Sequence, residues 1–228
     1  MTYIGRAIRL CVLAIAASIV LAAAGLALTA AWARHVQHRA EACLADFLRL
    51  EVGKSTFADL VVLQRKYGGV VFTDRWKECT PQHCAYQFNF QNTWFHRIRL
   101  APRIVLGLTV GVEDDHITSR LMYYGEDPVD TPATEATHIT ETYTIVSETV
   151  PEEWPARLVA PFQGNDDFKF SIHLDSRGHP FHQSIFMTTN VSSDDRMRAY
   201  SVDLSCLSRI GECDRGRVLD TIDIPIAR

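Results

Sequence analysis

Three histidines in the second half of the chain, His173, His179 and His182, fall within ten residues of one another, with Asp175 between the first two. Placed at one end of a hairpin, His179-Pro-Phe-His182 and the third imidazole could converge, and three neutral imidazoles plus a water are the ligand set of a catalytic zinc ion. The opposing reading is of exposed turn histidines. His173 lies on a strand-like stretch, the other two follow a Gly turn, and no glutamate base stands at a diagnostic spacing. We adopt the second reading, so no cofactor is expected, and the three histidines carry only the alternative function, a metal-dependent hydrolase.

The cysteines form a second group. Cys79-Thr-Pro-Gln-His-Cys84 and Cys206-Leu-Ser-Arg-Ile-Gly-Glu-Cys213 are two close pairs, each able to close a short loop. Disulfides at Cys79–Cys84 and Cys206–Cys213 would suit an oxidising compartment. Two readings compete with this one: free thiols, and a four-cysteine zinc site, for which six intervening residues in the second pair is wide. A thiol catalyst pairing Cys84 with His83 or His96 is incompatible with the disulfide. Cys43 is left over, either buried or available to cross-link two chains, and Cys11 reads as a small apolar residue.

Other chemistries find no support. Gly53-Lys-Ser-Thr56 has the end of a phosphate-binding loop, but the required upstream Gly is Leu48, and the stretch follows a helical rather than a strand pattern. No nucleophile elbow or dinucleotide loop occurs, so nucleotide is not an expected ligand. Asn165-Asp-Asp167 and Ser192-Ser-Asp-Asp195 read as solvated turns, lacking the regular oxygen spacing around a Gly that calcium needs. Asn190-Val-Ser192 has the form of a glycosylation sequon.

The elements that would position these residues start from an apolar run. Leu10 to Ala33 is 24 residues without a charge, flanked by Arg6 and Arg9 before and by Arg34 and Arg39 after. A helix needs roughly 20 apolar residues to cross a bilayer, so residues 10–33 read as a span that contacts lipid. A cleavable signal is the rival, with Ala31-Trp32-Ala33 as its cleavage pattern, but such signals have a shorter apolar core. We favour an uncleaved signal anchor. The flanking charges nearly tie on orientation. Oxidised cysteines would break the tie, setting residues 1–9 in the cytoplasm and the bulk of the chain outside, in the periplasm of a Gram-negative cell.

Of the 23 Lys and Arg, 21 follow the apolar run together with all 27 Asp and Glu, a net of −6 with His neutral. No basic stripe supports a nucleic-acid partner. The remainder is long enough for one large domain or two small ones. Residues 40–50 carry apolar side chains at 43, 44, 47, 48 and 50, a helical spacing that continues the membrane helix outward. A second helix spans Phe57 to Tyr67, capped by Thr56 with Asp59 and stopped by Gly68-Gly69, with Phe57, Leu60, Val61 and Tyr67 facing a core.

Alternation follows: Tyr86, Phe88 and Phe90; Leu106 to Val112; a turn at Glu113-Asp-Asp-His116; then Ile117 to Tyr124. Residues 126–142 are acidic and Pro-containing and read as a linker or long loop between residues 34–125 and 143–228. The last segment alternates at Tyr143 and Ile145, Phe168 to Leu174, Ile185 and Met187, Tyr200 to Cys206, and Ile222 to Ile226, either a separate β-rich domain or a continuation of one sheet. The expected fold is α+β: an N-terminal transmembrane helix, short helices and a largely antiparallel sheet.

The stretch Leu50-Glu-Val-Gly-Lys-Ser-Thr-Phe-Ala-Asp-Leu60, its helix ending at Gly68-Gly69 and the strands to Tyr124 resemble the small envelope lipoproteins of outer-membrane assembly. The same segment is similar to the repeats of β-lactamase inhibitor proteins and to single-pass bacterial envelope proteins with a cysteine pair and an aromatic strand. The resemblance covers about residues 43 to 124 and implies an α+β protein-binding or scaffolding module, with another envelope protein as partner and no catalytic residues.

Overall fold

A computed structural model describes residues 2–72, 78–126, 136–142, 163–164, 166–174 and 180–210. The first helix, α1 (Thr2–Phe47), is a single 46-residue rod, about 69 Å long at 1.5 Å per residue. It changes character along its length. The side chains of residues 9–28 are all exposed despite their composition, and α1 is the helix among the described residues that is long and apolar enough to cross a membrane. Ser18 and Thr29 turn their hydroxyls back onto the carbonyls of Ala14 and Gly25, at 2.8 and 2.9 Å, so that even the polar residues of this run are satisfied within the helix. Further along, Ala40, Cys43, Leu44 and Phe47 are buried, a stripe at the 3–4 residue spacing that keeps one helix face against a core.

Gly53, with φ of 82°, turns the chain, and its N–H donates to the carbonyl of Ile117. Helix α2 (Phe57–Tyr67) starts where the Thr56 N–H donates to the Asp59 carboxylate at 2.8 Å and stops where the Gly68 N–H donates to the Gln64 carbonyl. Its buried face is Leu60, Leu63 and Tyr67; Val61, expected in that face, is half-buried. The two helices are clamped by Asp46, which accepts from Lys66 at 2.6 Å, Tyr67 at 2.7 Å and Arg49 at 2.9 Å. Hydrogen bonds from Lys66 and Tyr67 hold the Asp46 carboxyl below the usual carboxylate range. A carboxyl whose pKa is lowered by folding contributes stability above its unfolded value, about 3.9, and that stability is lost as pH falls through the lower folded value. Asp46→Asn should therefore lower the melting temperature at pH 7 and flatten its acid-side decline, read from thermal unfolding of the detergent-solubilised chain between pH 2 and 7.

Gly69 ends the α2 turn at φ of 126°, and a Cβ there would meet the Gln87 carbonyl oxygen at 2.6 Å and the Tyr86 ring at 2.7 Å. Gly69→Ala should cost at least about 1–3 kcal/mol in chemical denaturation, because both the backbone angle and the neighbouring strand resist it.

The strands are β1 (Val70–Val71), β2 (His83–Gln91), β3 (Ile104–Glu113), β4 (His116–Glu126), β5 (Ala136–Thr142), β6 (Gln163–Gly164), β7 (Phe168–Leu174) and β8 (Pro180–Thr188). They form one mixed, mostly antiparallel sheet in the order β1-β2-β3-β4-β5-β8-β7-β6, with β5 and β8 parallel. Short helix α3 (Thr93–Arg97) joins β2 to β3, and α4 (Ser193–Ala199) and a 3-10 turn (Leu204–Leu207) follow β8. The architecture is α+β. Its core lies between the sheet and the C-terminal third of α1. One inward row runs Phe88, Leu108, Met122, Ile139 and Ile185 across five strands, all buried.

Several elements differ from expectation. Ala136–Thr142 is not linker but strand β5, in the interior of the sheet, and it joins the strands before and after the acidic stretch into one sheet. Ser192 to Asp195 is not a solvated turn but a helix start: the Asp195 N–H donates to Ser192 Oγ at 3.1 Å, and the Ser192 hydroxyl donates to the Asp195 carboxylate at 2.7 Å. Tyr200 to Cys206 is not a strand, because Asp203 caps the 3-10 turn by accepting from the Ser205 N–H at 2.9 Å. The strands expected at Tyr143–Ile145 and Ile222–Ile226 lie outside the described residues.

Candidate functional site

The inward row next to the Phe88 row contains two charges. It runs Tyr86, Val110, Arg120, Glu141, Met187 and Phe168, with Arg120 on β4 directly opposite Glu141 on β5. Both charged side chains are only 2 % exposed. Arg120 Nη2 donates to Glu141 Oε2, and Nη1 donates to the carbonyl of Phe47 at 3.1 Å, where α1 ends. The guanidinium carbon lies 5.5 and 5.6 Å from the ring centroids of Phe47 and Tyr200, which are themselves 6.2 Å apart and edge-on to each other, so two neighbouring aromatic rings flank the charge at cation–π distance.

Helix α4 supplies the third member. Arg196 places Nε 3.0 Å from Glu141 Oε1 and donates from Nη2 to the carbonyls of Thr189 and Val191 at 3.2 Å. Thus each carboxylate oxygen faces its own guanidinium, and β4, β5, α4 and the end of α1 are tied at one point. Arg120 Nε, Arg196 Nε and the Tyr200 hydroxyl are buried without a hydrogen-bond partner among the described residues, so Arg196 Nε meets Glu141 as an ion pair only. Burial pushes the Tyr200 phenol up, partly offset by Arg120. Beside the network is a cavity of ≈ 120 Å³ reaching Leu50, Val52, Lys54 and Thr189. That is well below the roughly 300–1,000 Å³ of a site for an organic ligand. The chemistry the arrangement provides is a positional lock.

The residues singled out from sequence fall elsewhere. Cys79 and Cys84 are joined in a disulfide with their Cα atoms 4.4 Å apart, so Cys84 offers no thiol to His83 or His96. Cys206 is also disulfide-bonded, and Cys213 lies outside the described residues. Cys43 is free but buried in the α1 stripe, where desolvation and then Asp46 push its thiol up to about 12. It is not placed to cross-link a second chain. His173 on β7 and His182 on β8 are register partners, and His179 lies outside the described residues. No group of three metal-ligating side chains occurs among the described residues.

The buried network left one trace in the sequence: Arg120 is in phase with Met122 and Tyr124, and Glu141 is in phase with Ile139. A charge in phase with buried residues signals a buried ion pair. On β4 this signal is masked because pairing slips at the Gly111/Val112 bulge, so that buried Ile117 is out of phase with Arg120. No family model matches this chain, and no curated protein or solved structure is significantly similar to it.

Proposed function

We propose that the chain is a single-pass, membrane-anchored protein of the cell envelope whose folded domain lies outside the cytoplasm and binds or scaffolds another envelope protein. The observation that carries this is α1: one unbroken helix whose apolar run from Leu10 is exposed through Leu28 and whose last third packs into the domain core. The change between the two roles runs from the half-buried Thr29 and Ala30, through the buried Ala33, to Ala40, where the buried stripe begins. In this reading residues 10–33 lie in the bilayer and residues 1–9 in the cytoplasm, and the disulfide at Cys79–Cys84 supports a domain on the oxidising side. The resemblance of residues 43 to 124 to small outer-membrane-assembly lipoproteins supports binding rather than catalysis, as does a buried charge network whose carboxylate oxygens are both engaged.

An alkaline phosphatase reporter fused after Arg228, active only when exported, should be active in intact cells; an inactive fusion would reverse the topology. Extracted in mild detergent from its native membrane, the chain should migrate with a second protein in fixed stoichiometry. Migration alone would contradict the scaffold role.

A further inference from the structure

We propose that the domain also rests on the bilayer surface through a second contact: an aromatic and basic patch of Trp94, Arg97, Ile98 and Arg99, joined by Arg209 and Ile210 just past the Ser208 contact on α1, that engages the phosphates and upper acyl chains of anionic lipids. This rests on the anchoring of α1 proposed above. The placement follows from the sheet. Arg120 touches the end of α1 at Phe47, and Tyr124 lies four residues further along β4, about 13 Å back toward the N-terminal end of α1. Tyr124 is in the same row as Leu106 and Phe90, and α3 begins three residues after Phe90, another 10 Å or so onward. About 23 Å corresponds to roughly fifteen residues of α1 counted back from Phe47, which is Trp32, and a tilt between helix and strands moves the level toward Gln37.

Contacts agree with that height. Helix α3 packs against α1, and Ser208, next to Arg209, hydrogen-bonds Gln37. The chemistry there is that of a membrane interface. Trp94, Ile98 and Ile210 are 49 %, 46 % and 54 % exposed, while Phe95, in the middle of α3, is buried. Trp94 and Ile98 are four residues apart and so share one face of the α3 turn, with Arg97 stacked on the Trp94 ring at 5.7 Å. Arg97 and Arg99 are exposed and have no carboxylate within ion-pair distance among the described residues. From residue 79 to residue 112 the sequence contains no Asp or Glu, although the chain is acidic overall. Exposed tryptophan with unpaired arginine, level with the point where α1 leaves its apolar run, matches a leaflet carrying anionic phosphates.

The test places the full chain in nanodiscs of equal parts phosphatidylcholine and phosphatidylglycerol, with bromine on the upper acyl chains. An environment-sensitive fluorophore is attached to Leu28→Cys, Ile98→Cys or Lys54→Cys in a Cys11→Ser background, Cys43 being buried and unreactive. Labels at 28 and 98 should lose most of their emission, and the label at 54, beside the far hairpin, should keep it. Arg97→Glu with Arg99→Glu should restore emission at 98 without changing it at 28. A quenched label at 28 with a bright label at 98 overturns the patch and leaves the anchor standing. Bright labels at both positions overturn the anchor and the patch with it. Quenching at 98 that survives the charge reversal overturns the anionic-lipid contact.

Discussion

Glu141→Ala should destabilise the domain by about 3–5 kcal/mol, the cost of leaving buried guanidinium groups without their counter-ion. Arg120 is only 2 % exposed and packs against the Phe47 and Tyr200 rings, so little solvent replaces the carboxylate once it is removed. Arg196, 23 % exposed, can recover part of its solvation and suffers less. For a domain of this size the loss corresponds to a fall of about 6–20 °C in melting temperature. Removing both charges, as Arg120→Met with Glu141→Leu, should return most of the stability, because a well-packed apolar pair costs no desolvation. Denaturant unfolding of the parent, Arg120→Met, Glu141→Leu and the double variant gives the coupling directly. A Glu141→Ala variant within about 1 kcal/mol of the parent would mean that the network contributes little to the lock.

Truncation within α1 should have the second large effect, and a sharply position-dependent one. A chain beginning at Arg34 keeps the stripe of Ala40, Cys43, Leu44 and Phe47, the Asp46 clamp and the carbonyl that accepts from Arg120, and it should give a folded, soluble domain. A chain beginning at Glu51 loses all of these. Burial of Leu44 and Phe47 alone is worth about 3–6 kcal/mol. Set against the roughly 5–15 kcal/mol that holds a typical domain together, that loss, with the exposed sheet face added, should leave the shorter chain unfolded. Circular dichroism and near-ultraviolet aromatic signals separate the outcomes. A shorter chain that folded as well as the longer one would show that α1 is a mere tether.

The elements built by local signals were legible in the sequence. The apolar run, the Thr56 and Asp59 helix start, the Gly68-Gly69 stop and the three strands from Tyr86 to Tyr124 each depend on residues within one turn or one alternation. The Asp114-Asp115 turn is of the same kind: φ angles of 48° and 67° make the two-residue hairpin that carries β3 into β4, and Asp tolerates that conformation better than most residues. What was not legible depends on distant partners. Strand β5, with three threonines and one glutamate in seven residues, has the composition of a loop. It becomes a central strand because β4 and β8 satisfy both its edges, and because Arg120 neutralises the charge it carries inward. The alternation from Tyr200 to Cys206 was overruled by Asp203, a local cap inside a strand-like pattern. Nor does any spacing in the sequence reveal that Arg120, Glu141 and Arg196 meet, since they come from β4, β5 and α4, which only the tertiary fold brings together.

The most direct test of the account is a thiol count on the full-length protein in its native membrane, alkylated in denaturant before and after reduction and read by mass spectrometry. Alkylation before reduction should modify Cys11 and Cys43, with Cys79, Cys84 and Cys206 modified only afterwards, which fixes the domain on the oxidising side of the bilayer. If Cys79 and Cys84 are modified without reductant, the domain faces the reducing cytoplasm, and the topology on which the proposed function rests is wrong.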